Sequence, residues 1–181
     1  MRRASQSAAG PVPWPHPATP ERRDGIDWGM TDPGTDALAR FFATSPAARK
    51  ATRPLARDAR VALDLASGPA RFSMAGGEAR VEPGTEPDPD FTLVLPEPAV
   101  KHITAIQGDD VGEFGIAFFK LLLAREPEQR VRVHIHASTA RLVSHGYLGV
   151  LAAGGAKVAW WLLKNGVRNP TAAIDRLRGA R

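Results

Sequence analysis

Apolar positions along the chain change period several times, and each change marks an element. "TDALARFFATS" offers Thr35 or Asp36 as an N-cap, after which Leu38, Phe41 and Phe42 fall on one helical face. Ser45-Pro46 restarts the chain as a cap followed by proline at the first helical position, predicting a second helix to about Ala56. The period then drops to two. Val61, Leu63 and Leu65 alternate with Ala62 and Asp64, "ARFSMA" alternates again, and "EARVEP" follows Gly76-Gly77. With turns at Gly68-Pro69 and Gly76-Gly77, these strands read as a small antiparallel meander. "PGTEPDPD" is a loop by composition, with Asp88 and Asp90 as ordinary loop residues between prolines, and "DFTLVL" is the next strand.

Beyond Pro96, Val100, Ile103 and Ile106 recur at helical spacing, with Gly108 as the stop. "GEFGIAFFKLLLARE", Gly112 to Glu126, is the densest apolar stretch. Phe114, Ile116, Phe118, Phe119, Leu121, Leu122 and Leu123 are interrupted only by Lys120 among the large side chains. Its length predicts a helix, which Gly112 and Gly115 weaken. One buried face uses about half of these side chains, so the surplus must meet another apolar surface, a ligand or a membrane. In "RVRVHIHAS", Val131, Val133 and Ile135 face one way, and Arg132, His134 and His136 the other, which predicts a strand. Ser138 can cap a closing helix, Gly154-Gly155 can break it and Gly166 can end it, while Asn169-Pro170 caps a last, basic helix. From Tyr147 to Leu163 only Lys157 is charged, yet the run falls short of the roughly 20 residues that span a bilayer. Adjacent Trp160 and Trp161 point about 100° apart on a helix, so one faces the core and the other outward. Packing against a core or partner is favoured over membrane contact, and peripheral contact stays open.

Composition narrows the classes. At 181 residues, with 43% hydrophobic and 24% charged positions, the chain has the balance of one soluble globular domain. Residues 1–24, Pro-rich from Pro11 to Pro20, are expected to be a disordered or extended arm, and residues 25–181 a single domain. The basic start lacks the apolar core of a secretory signal, and the absence of cysteine removes disulfides, thiol catalysis and thiolate zinc sites, so a cytoplasmic location is expected. The formal charge of +5 is spread without a basic stripe carrying interleaved aromatics, which argues against nucleic acid as a partner.

Candidate chemistry is sparse. His134 and His136 project together from one strand face, but Arg132 shares that face and no third ligand lies nearby, so a metal is not expected. Asp109, Asp110 and Glu113 could pair for acid–base work, yet they sit where a helix N-terminus attracts negative charge, and capping is the favoured role. No phosphate loop, nucleophile elbow or dinucleotide fingerprint occurs. Neither an enzyme activity nor a cofactor is indicated.

The order of elements does carry a resemblance. A helical start, "RVALDLASGPARFSMAGGEARVEPG", "DPDFTLVLPEPAVKHITA", an apolar helix, "RVRVHIHAS" and a closing helix together resemble the sterol carrier protein type-two (SCP2) family over roughly Asp36 to Asn165. "PDFTLVLPEPAVKHI" is similar to the family's aspartate, alternating strand and following helix. The chain departs in "AREPEQRVRVHIHAST" and in its longer hydrophobic end. The resemblance implies an SCP2-like α+β fold: a small, mainly antiparallel five-stranded sheet covered by helices, with an apolar cavity between the layers. It implies a non-catalytic lipid-binding or lipid-transfer protein holding an acyl or sterol-like ligand, with Phe114, Phe118, Leu121, Leu122, Tyr147 and Leu151 lining the tunnel. The alternative is an accessory or dimerisation module that supports a partner enzyme.

Overall fold

The computed structural model describes residues 32–166, all within one compact unit. The arm at 1–24 and the last basic helix after Asn169 lie outside the described residues. Two helices open the described chain, α1 (Pro33–Thr44) and α2 (Pro46–Thr52). The α1 cap is Asp32, three or four residues before the expected Thr35 or Asp36. Its carboxylate accepts from Gly34 N–H at 3.1 Å, Thr35 Oγ1 at 3.0 Å and the Ser67 hydroxyl, tying the helix start to the first hairpin. The Asp32-Pro33 pair begins the helix as cap and first-turn proline, so Thr35 is buried inside it. Ser45 caps α2 as expected, its hydroxyl accepting from Ala48 N–H, but α2 ends at Thr52, short of Ala56.

Strands β1 (Arg60–Leu65), β2 (Gly68–Ala75) and β3 (Glu78–Pro83) form the meander. After β4 (Phe91–Leu95), α3 (Glu97–Thr104) and α4 (Val111–Leu122), β5 (Arg132–Ile135) completes a five-stranded sheet of order β3-β2-β1-β4-β5. β1 and β4 run parallel and the other pairs antiparallel, so the α+β class and the mainly antiparallel sheet both hold.

The register fixes two unlike faces. Val81, Phe72, Val61, Phe91 and Ile135 are successive partners across the sheet, as are Leu63, Leu93 and Val133. The opposite face carries Arg71, Glu82, Asp64, Thr92 and His134. Alternation of period two therefore makes one apolar face, and the helices cover it. The core joins Leu38 and Phe41 of α1, Ala99, Val100 and Ile103 of α3 and Leu121 of α4 to Val61, Leu63, Phe72, Met74 and Val81.

The chain end is divided more finely than its apolar run suggests. In place of one helix broken at Gly154-Gly155 there are three: α5 (Thr139–Ser144), α6 (Tyr147–Ala153) and α7 (Gly155–Lys164). The additional break is at Gly146, whose φ of +82° favours glycine and whose Cα lies so near Pro54 that an added Cβ would be 2.0 Å from the Pro54 carbonyl oxygen. Among the described residues no helix is long and apolar enough to cross a membrane.

Candidate functional site

The surplus apolar side chains of α4 are taken up from several directions. Every residue from Phe114 to Phe119 is half-buried, and α4 packs against α7 as well as α2, α3 and α6. Glycine permits the α7 contact: a Cβ on Gly115 would lie 2.9 Å from Val158 Cγ2, and one on Gly112 3.3 Å from the Gly154 carbonyl oxygen. Lys157 of α7 reaches Asp110 at 2.7 Å and Glu113 at 3.0 Å. Asp110 is the α4 cap, accepting from Glu113 N–H at 3.1 Å, and Asp109 pairs with Lys50 at 2.7 Å. Asp110 thus has the capping role the sequence favours, while Asp109 and Glu113 pair with lysines.

Packing is uneven along the apolar face. Over β1, β2 and β3 the large inward residues are almost fully buried. Towards the β4–β5 edge, Phe91, Leu93, Val133 and Ile135 are only half-buried, and so are Phe114, Phe118 and Leu122 of α4 and Tyr147 of α6. Phe114 stacks at a tilt on Phe41 with ring centroids 5.8 Å apart, and Tyr147 meets Phe91 edge to face at 4.9 Å. Of the six residues expected to line a tunnel, Phe114, Phe118, Leu122 and Tyr147 pack half-buried against the core, and Tyr147 meets β4 through Phe91. Leu121 sits within the closed core, and Leu151, 37% exposed, points away from it on α6. Two clefts, of about 460 and 420 Å³, open elsewhere. One lies between α1 and the α3–α4 connection, the other between α2 and β3, and neither is lined by any of the six.

A buried polar cluster closes the same end of the sheet. Asp90, expected to be a loop residue, is 0% exposed and joins three elements. Its N–H donates to Arg60 O at 2.8 Å, and its carbonyl accepts from His136 and Ala137 N–H at 2.9 Å each, fastening β4 between β1 and β5. Oδ2 accepts from Arg60 N–H at 3.1 Å, His145 Nδ1 at 2.7 Å and Tyr147 O–H at 2.8 Å. An ionised carboxylate only accepts, so the proton in the His145 contact sits on Nδ1. His145 Nε2 lies 3.3 Å from Asp58 Oδ2. Oδ1 is 2.7 Å from Arg141 Nε, an ion pair without the alignment of a hydrogen bond. Burial draws the Asp90 carboxyl upward, but the bonds from His145, Arg60 N–H and Tyr147 outweigh it and hold the group below the ordinary carboxylate value. Burial, then the bond to Asp90, pushes the Tyr147 phenol far above its ordinary value, so it stays a donor.

The side chains of His134 and His136 are exposed, with His136 Nε2 2.9 Å from Thr92 Oγ1. Among the described residues no group of three or more histidines and carboxylates is arranged to hold a metal ion. The signal that could have revealed Asp90 is Arg141 and His145, one helical turn apart, followed by Tyr147: three donors converging from one segment require a buried acceptor.

No protein-family model and no curated protein matches the sequence. Among solved structures, one titled "UbiJ-SCP2 Ubiquinone synthesis protein" is similar over 66% of this chain and 90% of its own, at 12% identity and a TM-score of 0.36. That likeness is too distant to carry a ligand or a partner across.

Proposed function

We propose that this chain binds an apolar small molecule, an acyl chain or a sterol-like ligand, between the β4–β5 edge of the sheet and helices α4 and α6, without covalent chemistry. The observation that supports this reading is the half-burial of large apolar groups on the sheet, Phe91, Leu93, Val133 and Ile135, and on the helices, Phe118, Leu122 and Tyr147, with Tyr147 set on Phe91. A layer left half-covered gains by admitting hydrocarbon. Each buried methylene contributes about 0.8 kcal/mol, so about eight would supply roughly 6 kcal/mol before the cost of association. Asp90, with its donors already engaged, would hold the end of this layer and act as a support rather than a ligand group.

Lipid identification by mass spectrometry on protein purified without detergent, together with titration of a fluorescent fatty acid, tests the reading. Binding at micromolar concentration is expected, and Leu122→Asp should weaken it at least tenfold while circular dichroism stays native, because the layer disfavours a carboxylate. A protein that carries no lipid and binds neither acyl nor sterol probe would overturn it. The second reading, an accessory or dimerisation module, draws on β5 lying at the edge of the sheet. An edge strand can pair with another chain. Native mass spectrometry separates the two: a ligand-bearing species supports the first, a ligand-free dimer the second.

A further inference from the structure

Helix α7 turns large apolar groups outward beside two lysines. Val158 and Leu162 face the core, and at 100° per residue the opposite side centres on Trp160, with Ala156 and Leu163 on one flank and Lys157 and Lys164 on the other. A surface helix normally turns polar residues outward. Here Trp160 is 63% and Leu163 49% exposed, and α6 adds exposed Leu148 and Leu151. The stretch of sequence that forms this surface is basic. Between Glu128 and Asp175 the sequence contains no Asp or Glu, while Arg130, Arg132, Arg141, Lys157, Lys164 and Arg168 fall in that interval. Arg141 and Lys157 are committed inward, to Asp88 and Asp90 and to Asp110 and Glu113. Lys164 ends α7 one turn after Trp160, and the sequence beyond Gly166 continues with four arginines against one aspartate.

We infer that the outer face of α7, with the exposed leucines of α6, docks on the surface of an anionic phospholipid bilayer. An apolar face containing tryptophan and bordered by cations suits the boundary between headgroups and acyl chains. Basic residues beside it would be attracted by acidic headgroups and screened by salt. The ten residues of α7 extend about 15 Å, so the helix would lie in the plane of the surface rather than cross it. A protein partner would be expected to offer acidic side chains to Lys164. A bilayer supplies the same negative charge together with the hydrocarbon that Trp160 and Leu163 require. This surface is separate from the acyl site proposed above and does not depend on it.

Co-sedimentation of the full chain with vesicles of phosphatidylcholine, alone or with about one-third phosphatidylglycerol, tests the inference. Binding to the anionic vesicles is expected to be at least tenfold stronger and to fall as salt rises. The double variant Trp160→Ser, Leu163→Ser should lose at least tenfold in that binding while keeping its melting temperature and its affinity for the fluorescent fatty acid. Should the double variant be unstable, brominated phospholipid provides a second measurement: it should quench wild-type tryptophan fluorescence more than that of Trp160→Phe. Equal binding to neutral vesicles, no binding, or unchanged binding and quenching in these variants would overturn the inference. So would a dimer, seen by light scattering, that the double variant dissociates, since the face would then belong to a second copy.

Discussion

Removing the buried Asp90 carboxylate would leave Arg60 N–H, His145 Nδ1 and Tyr147 O–H without their acceptor, and Arg141 with Asp88 alone. Breaking a buried, hydrogen-bonded ion pair from one side costs about 3–5 kcal/mol, a large part of a domain's stability. Urea denaturation of Asp90→Ala should show a loss of that order, whereas Tyr147→Phe, which deletes one donor, should lose about 1.5 kcal/mol. Equal stability of wild type and Asp90→Ala would mean the cluster contributes nothing. The sign of the pH dependence follows from the direction of the shift. The folded carboxyl is held below its ordinary 3.8, so its stabilisation is present above that value and is lost as pH falls through the lower, folded one. Wild type should therefore lose stability below about pH 4, and Asp90→Asn, having no proton to take up there, should show a shallower acid limb. Asp90 was not legible as a hub because roughly 50 residues separate it from its donors. Local composition described only the loop around it. Asp110, whose partner Glu113 N–H is three residues away, was legible for the converse reason.

At the scale of elements, period and punctuation located the strands and most helices, and failed where glycine acts through space. The meander, β4 and β5 follow from alternation that any fold burying one sheet face would need. The division of the last apolar run into α5, α6 and α7 depends on Gly146 meeting Pro54, a contact with a residue about 90 positions earlier. Two substitutions separate conformational cost from crowding. Gly146 (φ +82°) and Gly155 (φ +63°) both occupy the left-handed region, but a Cβ at Gly155 meets nothing within 4 Å, while at Gly146 it would be 2.0 Å from a backbone oxygen. Gly155→Ala should cost about 1 kcal/mol, the backbone term alone. Gly146→Ala should cost more than about 2 kcal/mol, lowering the melting temperature by roughly 4–8 °C. Similar melting temperatures for the two variants would show that the Pro54 contact relaxes and that α6 is not held by it.

Across the described molecule, burial is graded from a closed half, α1 and α3 over β1, β2 and β3, to an open half at β5, α5 and α6. The apolar content of α4 was legible as a surplus, because a count of large side chains exceeds what one face can bury. How the surplus is taken up was not, because the approach of α7 depends on glycines that let two helices meet. A gradient of burial implies a gradient of local stability, since opening a region costs less where fewer apolar contacts are lost. Asp90 ties the open half together, bonding β1, the end of β5 and the α5–α6 segment from the start of β4. Loosening that residue should release these elements as a unit and leave the closed half intact. Native-state amide exchange followed by mass spectrometry reads this directly. In wild type, peptides from β1 and β2 should exchange most slowly and those covering 132–153 faster. In Asp90→Asn, exchange over 132–153 should accelerate at least tenfold, about 1.4 kcal/mol of local opening, with β2 shifted far less. A uniform acceleration over both halves would mean that the sheet and its cover open only together. A saturating acyl ligand bound in the open half should reverse the effect, slowing exchange over 132–153 more than over β2, because binding stabilises the closed form by mass action.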